Sequence, residues 1–367
     1  MGTGFFTDEL CFWHGGGNYA FTLQVGGLVQ PQMGGLPENP ETKRRLKNLM
    51  EVTGLLGQLA VQSAPAADQE ELLRVHPSGF LSEFKQLSDA NGGELGLRTP
   101  FSKGGFEIAA LSAGLARGAL FSVLDGTHKN AYSLSRPPGH HCLPDWPNGF
   151  CLLANIAIAV KAALAAKKCA RVAVVDWDVH HGNGTEAIFY DRADVLTISM
   201  HQERNYPTNT GEAQKRGEGA GEGYNINIPI APGAGHQTYL NAWDQIVGPA
   251  LRRYQPDVII IACGYDAALI DPLSAMLATV ETFDGLTERA MAAADELCDG
   301  KLVMVHEGGY SEVYVPFCGH AVIARMAGSD ITAPDPLAEM FAARQPGPAH
   351  QAFLDGQINE LAAFHLR

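Results

Sequence analysis

The chain has 367 residues, 46% of them hydrophobic and 18% charged, and a net charge of −14 from 26 basic and 40 acidic residues. This supports a large buried core and excludes a disordered or repeat chain. No basic cluster stands out beyond Lys43-Arg44-Arg45, which excludes a direct nucleic-acid binder, because phosphate binding needs a positive surface.

Residues 1–20 are aromatic and glycine-rich, without the basic start and apolar core of a signal peptide. The stretch 11–39 has no clear period and is too long for an ordinary connection, so it reads as an entrance or interface segment. Helical periodicity follows over Pro40–Leu56, Glu70–Val75, Ser78–Leu87 and Gly104–Leu124. From residue 130 short apolar runs alternate with helical patterns. Strands are expected at Ala131–Ser135, Arg171–Val175, Val195–His201, Val258–Cys263 and Leu302–His306. Helices are expected at Asn155–Ala166, Gly182–Tyr190, His236–Tyr254, Thr279–Leu297 and Val315–Gly328. The strands are continuous Val/Ile/Ala runs, which marks burial on both faces. Strand–helix alternation of this kind predicts a parallel sheet covered by helices, an α/β fold. No repeat or linker interrupts residues 1–367, so one domain is expected.

The seven Cys residues are scattered and form no Cys-x-x-Cys, which reads as free thiols in a reducing compartment. No apolar run approaches the length of a transmembrane helix. A soluble cytoplasmic protein, without membrane partners, is the expectation.

Four polar motifs each follow a predicted strand: Arg136-Pro-Pro-Gly-His140-His141, Asp176-Trp-Asp178-Val-His180-His-Gly-Asn183, Gly264-Tyr-Asp266 and His306-Glu-Gly308-Gly309-Tyr310. In a parallel sheet the carboxyl ends of the strands share one edge, where sites form. Buried carboxylates and imidazoles are costly unless they bind something. Asp178 and His180 are two residues apart, so on an extended segment they point to the same side. With Asp266 they form an O, N, O set, and three protein ligands leave one position open for water and substrate. Taken alone, Asp178 and His180 would read as a helix cap and a core histidine; the convergence of four motifs displaces that reading. A neutral imidazole from His140 or His141 can take a proton from water and return it to a leaving amine. Asp176 and Asn183 are available to orient the pair. Tyr310, after two glycines, can donate to a carbonyl oxygen.

RPPGHH, DWDVHHGNG, SMH, GYDA and EGGY, in this order and spacing over about residues 40–330, resemble the histone deacetylase family. Asn183 resembles its class II members, and the nearest resemblance is to bacterial histone-deacetylase-like amidohydrolases. The resemblance implies the arginase/deacetylase fold with an eight-stranded parallel sheet. It implies Zn²⁺ on Asp178, His180 and Asp266, His140 paired with Asp176, His141 paired with Asn183, and Tyr310 as carbonyl polariser. A structural monovalent cation, K⁺, is implied near Asp176, Asp178, His180, Ser199 and Met200, and a second near Phe189, Arg192, Val195 and Tyr224. Arg192 departs from the small polar residue expected there. Phe150, with Gly149, matches one aromatic wall of the acyl-lysine channel, and Tyr206 stands where the facing Phe lies. Gly309 also belongs to the channel. Leu273 occupies the gatekeeper position, where a Glu would signal polyamine preference. The rim Asp that grips peptide backbone has no match: Leu97 falls near it, and Glu94 is the nearest acid.

The reaction implied is hydrolysis of an acylated amine, an acyl-lysine side chain or a related small amide such as an acylpolyamine. The competing readings are a binuclear Mn²⁺ ureohydrolase and an inactive acyl-lysine binder. Asn183 and Ala268 stand where the first would need bridging carboxylates, and the intact His pair and Tyr310 argue against the second. A homo-oligomer is expected, with 11–39 as the subunit contact.

Overall fold

A computed structural model describes residues 2–366. Eight strands form one sheet: β1 (Thr3–Thr7), β2 (Ala60–Gln62), β3 (Asn130–Leu134), β4 (Val172–Asp176), β5 (Val195–Gln202), β6 (Asn225–Ile230), β7 (Val258–Cys263) and β8 (Leu302–His306). Their order across the sheet is β6-β5-β4-β7-β8-β3-β1-β2. Every pairing is parallel.

The continuous apolar runs are explained by two cores, one on each face. Ala173 and Val175 of β4, with Ile259, Ile261 and Cys263 of β7, enter one. Val172 and Val174, with Val258, Ile260 and Ala262, enter the other. Successive side chains point to opposite faces, so both must be apolar. The first core is covered by helices Glu41–Thr53, Val280–Leu297 and Val315–Ala327, the second by Ser78–Ala90, Gly105–Leu124 and Asn155–Ala165.

Several expectations need correction. Gly105–Leu124 does pass for a membrane span by length and composition, with mean hydropathy 1.4 over an 18-residue window. Ala109, Ala113, Ala116 and Ala119 on it are wholly buried in the second core, which accounts for the apolar character. The stretch 236–254 is not one regular helix but a wider π turn at Trp243–Val247 between two α segments. Pro249 has no N–H to donate back to the preceding turn, and the Gly248 N–H bonds Trp243 instead. Three strands of this sheet, β1, β2 and β6, fall where no strand is expected from the sequence. β2 is a three-residue edge strand. β6 is the opposite edge, and tolerates Pro229 there. Helix Pro348–His365 was also unread; it starts with Pro at its first position and packs on β6 and on His236–Ala242.

Candidate active site

In the sheet, β4, β7, β8 and β3 are four consecutive neighbours. These are the strands whose carboxyl ends carry the four motifs, so the motifs meet at the centre of one edge. The side chains of Asp176, Asp178, His180, Asp266, His140, His141, Asn183 and Tyr310 are all buried there.

Asp178 and His180 lie beyond β4 in a bend, not on an extended segment. The bend is built by the carboxylates themselves: Asp178 N–H donates to Asp176 Oδ1 (3.0 Å) and His180 N–H to Asp178 Oδ1 (2.9 Å). The two side chains are nonetheless together. His180 Nδ1 lies 3.1 Å from Asp178 Oδ1 and 3.0 Å from Asp266 Oδ2. The second Asp266 oxygen accepts Val179 N–H (2.8 Å), and Asp178 Oδ2 accepts Gly308 N–H (2.8 Å). One donor atom from each of the three residues falls within 4.8 Å of the others. Glycine is required around them. A Cβ on Gly264 would lie 2.2 Å from Asp178 Oδ2, and one on Gly308 2.2 Å from Asp266 Oδ2 and 3.0 Å from the Tyr310 hydroxyl. That last contact also puts the phenol beside the carboxylates. Two convergent, fully buried carboxylates and an imidazole are a donor set that fits a divalent cation.

His140 Nδ1–H donates to Asp176 Oδ2 (2.9 Å), and His141 Nδ1–H to Asn183 Oδ1 (2.8 Å). The rings sit 4.0 Å apart, centroid to centroid, in different fields. Burial opposes charge on His140, but Asp178 and Asp176 override it and hold its pKa well above the usual imidazole value. Burial, reinforced by His140 and His180, holds His141 well below that value. Burial and the carboxylates of Asp266 and Asp178 raise the Tyr310 phenol, keeping it a neutral donor.

A cavity of about 140 Å³ reaches these groups from the surface, lined by His141, Gly149, Phe150, His180, Tyr206, Leu273 and Tyr310. Gly149 and Phe150 both have positive φ, +54° and +69°, which turns the Phe150 ring toward Tyr310 at 5.6 Å. Tyr206 faces His141 at 5.0 Å, but its hydroxyl donates to Asn148 Oδ1 (3.1 Å) rather than into the channel. Gly309 has φ +123° and sits against Tyr265 and Val315. Leu97 is exposed, and Glu94 is engaged by Tyr19, by Gln24 (2.9 Å) and by the Thr99 N–H (3.2 Å). The 11–39 segment contributes Thr22 to the channel mouth and exposes Trp13, Leu28 and Met33.

Of the residues named for a monovalent cation, Ser199 pairs with Asp176 across β5 and β4, with Met200 next to it. In the other group, Phe189 O accepts Arg192 N–H (3.0 Å) and Tyr224 O accepts Thr197 N–H (3.0 Å). The Arg192 guanidinium turns away to Asp194 (2.8 Å). Val195 opens β5.

Sequence reasoning missed the supports of this site. Arg136 pairs twice with Glu38 (2.8 and 2.6 Å), all buried, and Lys43 adds a second cation on Glu38 at 3.3 Å. Burial would raise Glu38, but Arg136 and Lys43 pull it down to about 2. Lys43 Nζ lies 5.9 Å behind the Tyr310 ring. Asp271 accepts both Tyr310 N–H (2.7 Å) and Leu273 N–H (2.9 Å), tying these two channel residues together. Glu307 accepts Gly139 N–H (2.7 Å) and His140 N–H (3.0 Å) on one oxygen. A signal existed for Arg136 and Glu307, which stand inside RPPGHH and EGGY; none marked Asp271, or Arg98, which also lines the channel.

A model of the histone deacetylase domain matches residues 36–326. A histone deacetylase-like amidohydrolase from Pseudomonas aeruginosa is 53% identical over 98% of this chain and 95% of its own length. A probable deacetylase from Archaeoglobus fulgidus is 38% identical over 81% of this chain and 84% of its own. The crystal structure of the HDA15 HD domain superposes with a TM-score of 0.81 at 30% identity, covering 100% of this chain and 99% of that one. The eight-stranded parallel sheet is therefore the arginase/deacetylase fold, and the chain belongs to the histone deacetylase family of amide hydrolases.

Proposed function

We propose that this protein removes acyl groups, acetyl foremost, from lysine side chains or related amines, using Zn²⁺ held by Asp178, His180 and Asp266. The observation that carries the reading is the convergence of this buried O, N, O set, the His pair and the Tyr310 hydroxyl on one narrow channel. A divalent cation, when bound, supplies Lewis-acid polarisation and a lowered water pKa.

The chain's own residues do the rest. Phe150 and Tyr206 flank the acyl-amine stem and exclude water. The Tyr310 O–H donates to the carbonyl oxygen as charge builds there. His141 is kept neutral with Nδ1–H committed to Asn183, so its Nε2 is the free base. It takes the water proton as the C–O bond forms. It returns that proton to nitrogen as the C–N bond breaks, leaving a carboxylic acid and an amine, which at neutral pH exchange the remaining proton to become carboxylate and ammonium. His140, whose Nδ1–H is committed to Asp176, acts electrostatically and leaves the proton work to its neighbour. Asp176 and Ser199, side by side, support K⁺ as part of this reading. Asn183 and Ala268 bring no carboxylate for a second catalytic metal.

The test is turnover of an acetyl-lysine peptide by the Zn²⁺-loaded protein. Tyr310→Phe is expected to lose about 10²-fold or more in kcat, and His141→Ala about 10³-fold, both with the metal content of the unaltered protein. Full activity after chelation, with metal verified absent, overturns the proposal.

A further inference from the structure

Arg98 sits on the wall of the same channel as Phe150, Tyr206, Leu273 and Tyr310. Its seat is built by backbone. Leu97 N–H donates to Pro147 O (3.2 Å), Gly149 N–H to Leu97 O (3.1 Å) and Phe150 N–H to Arg98 O (3.1 Å). Arg98 itself holds φ +58°, a left-handed conformation that a non-glycine residue adopts only where the surroundings enforce it. The guanidinium carbon lies 5.6 Å from the centroid of the Tyr206 ring, within reach of a cation–π contact.

Several arginines of the chain have carboxylate partners, among them Arg117, Arg136, Arg192, Arg252, Arg289 and Arg325. Among the described residues Arg98 pairs with none, and neither do Arg171, Arg204, Arg216, Arg253 and Arg344, but of these only Arg98 lines the channel. The acid nearest in sequence, Glu94, is turned to Tyr19, Gln24 and Thr99. The other mouth residues, Thr22, Asn205, Tyr206 and Leu273, carry no charge. In a chain of net charge −14, an arginine without a carboxylate partner thus lines the channel. A guanidinium offers five donors in a planar fork that matches a carboxylate.

Resting on the amide-hydrolase reading, we propose that Arg98 is a specificity residue for a carboxylate at the far end of the acylated amine chain. The substrate class is an acylated amino acid of lysine type, or a peptide placing an acid there. Acylpolyamines, which bring a cation to the same spot, are disfavoured by the same group.

The experiment uses three acetamides of equal chain length: 6-acetamidohexanoate, N-hexylacetamide and N-acetylcadaverine, which end in an anion, a methyl and a cation. For the Zn²⁺-loaded protein, kcat/KM should be at least about tenfold higher for the anion than for the cation at low salt, and the ratio should shrink as salt screens it. Arg98→Gln should bring the ratio close to unity, and Arg98→Glu should invert it. An acetyl-lysine peptide with a free C-terminal lysine, its C-terminal amide, and an amide with a flanking Glu then separate a chain-end carboxylate from an acidic side chain. Equal kcat/KM for the three acetamides, or an undiminished preference in Arg98→Gln, overturns the inference while leaving the hydrolase reading intact. If an internal acetyl-lysine peptide is not hydrolysed either, the hydrolase reading itself has failed.

Discussion

Glu38 shows how much a single buried residue can carry. Its carboxylate pairs with both Arg136 and Lys43, each almost completely buried. Arg136 is therefore clamped where it also holds His14 O (2.9 Å), at the start of the segment that bears the His pair. Removing the acid leaves two cations uncompensated in a low-dielectric core, a far larger penalty than losing an exposed pair. Glu38→Ala is expected to destabilise the protein by roughly 3–5 kcal/mol. A urea midpoint indistinguishable from that of the unaltered protein would show that the cluster carries no such load. Lys43 beside Tyr310 makes this cluster the floor of the site as well as a stability element.

At the scale of elements, the loop 147–150 decides the shape of the channel. Gly149 adopts φ +54°, where a side chain costs about 1–2 kcal/mol in backbone strain. A Cβ there would also come within 2.4 Å of His141 Cδ2 and 2.8 Å of Tyr206 Cε1. Gly149→Ala must therefore push His141 or the facing ring. A displacement of about 1 Å can cost about 10²-fold in rate, so kcat on an acetyl-lysine peptide is expected to fall by that order. The circular dichroism spectrum should stay unchanged, because the loop lies outside the sheet. Retention of full kcat would mean that the channel relaxes around the methyl group. The same loop seats Arg98 through Leu97 and Phe150, so one short backbone pairing positions both the aromatic wall and the cation.

Across the whole molecule, buried histidines set the response to acid. His76 uses both ring nitrogens: Nδ1–H donates to Pro144 O (2.7 Å) and Nε2 accepts Ala154 N–H (3.1 Å). Protonation would remove the acceptor, and burial lowers its pKa from 6.5 to about 4. Burial and Arg136 similarly lower His14 to about 3. For a histidine depressed in the folded state, the unfolded chain binds the proton first as pH falls. Stability is then full above about 6.5 and declines down to the folded value. For His76 the window runs from pH 6.5 to about 4 and is worth roughly 3 kcal/mol. Denaturant titrations between pH 7 and 4 should show this loss, with a shallower decline in His76→Gln. Equal pH slopes for the two proteins would remove His76 from the account.

The sequence by itself determined the central strands and the residues gathered at the candidate site, because both are local. A strand buried on both faces must be a continuous apolar run, and β4, β7 and β8 were readable within a residue of their ends for that reason. Buried carboxylates, imidazoles and glycines at their carboxyl ends are too costly to stand there idly, so Asp178, His180, Asp266, His140, His141 and Tyr310 could be named together. The edge strands β2 and β6 escaped, because short or alternating segments take their structure from neighbours; the helix Pro348–His365 escaped because its buried stripe is sparse, with Leu354, Ile358 and His365. Only the tertiary structure decided the pairings that join distant positions. Glu38 meets Arg136 across 98 residues, Asp271 meets Tyr310 across 39, and Arg98 finds the Tyr206 ring on another loop. Such contacts depend on how helices and loops pack around the sheet, and no local pattern encodes the packing. The candidate site was therefore legible in the motifs, whereas the supports behind it and the arginine lining its channel became visible only in the fold.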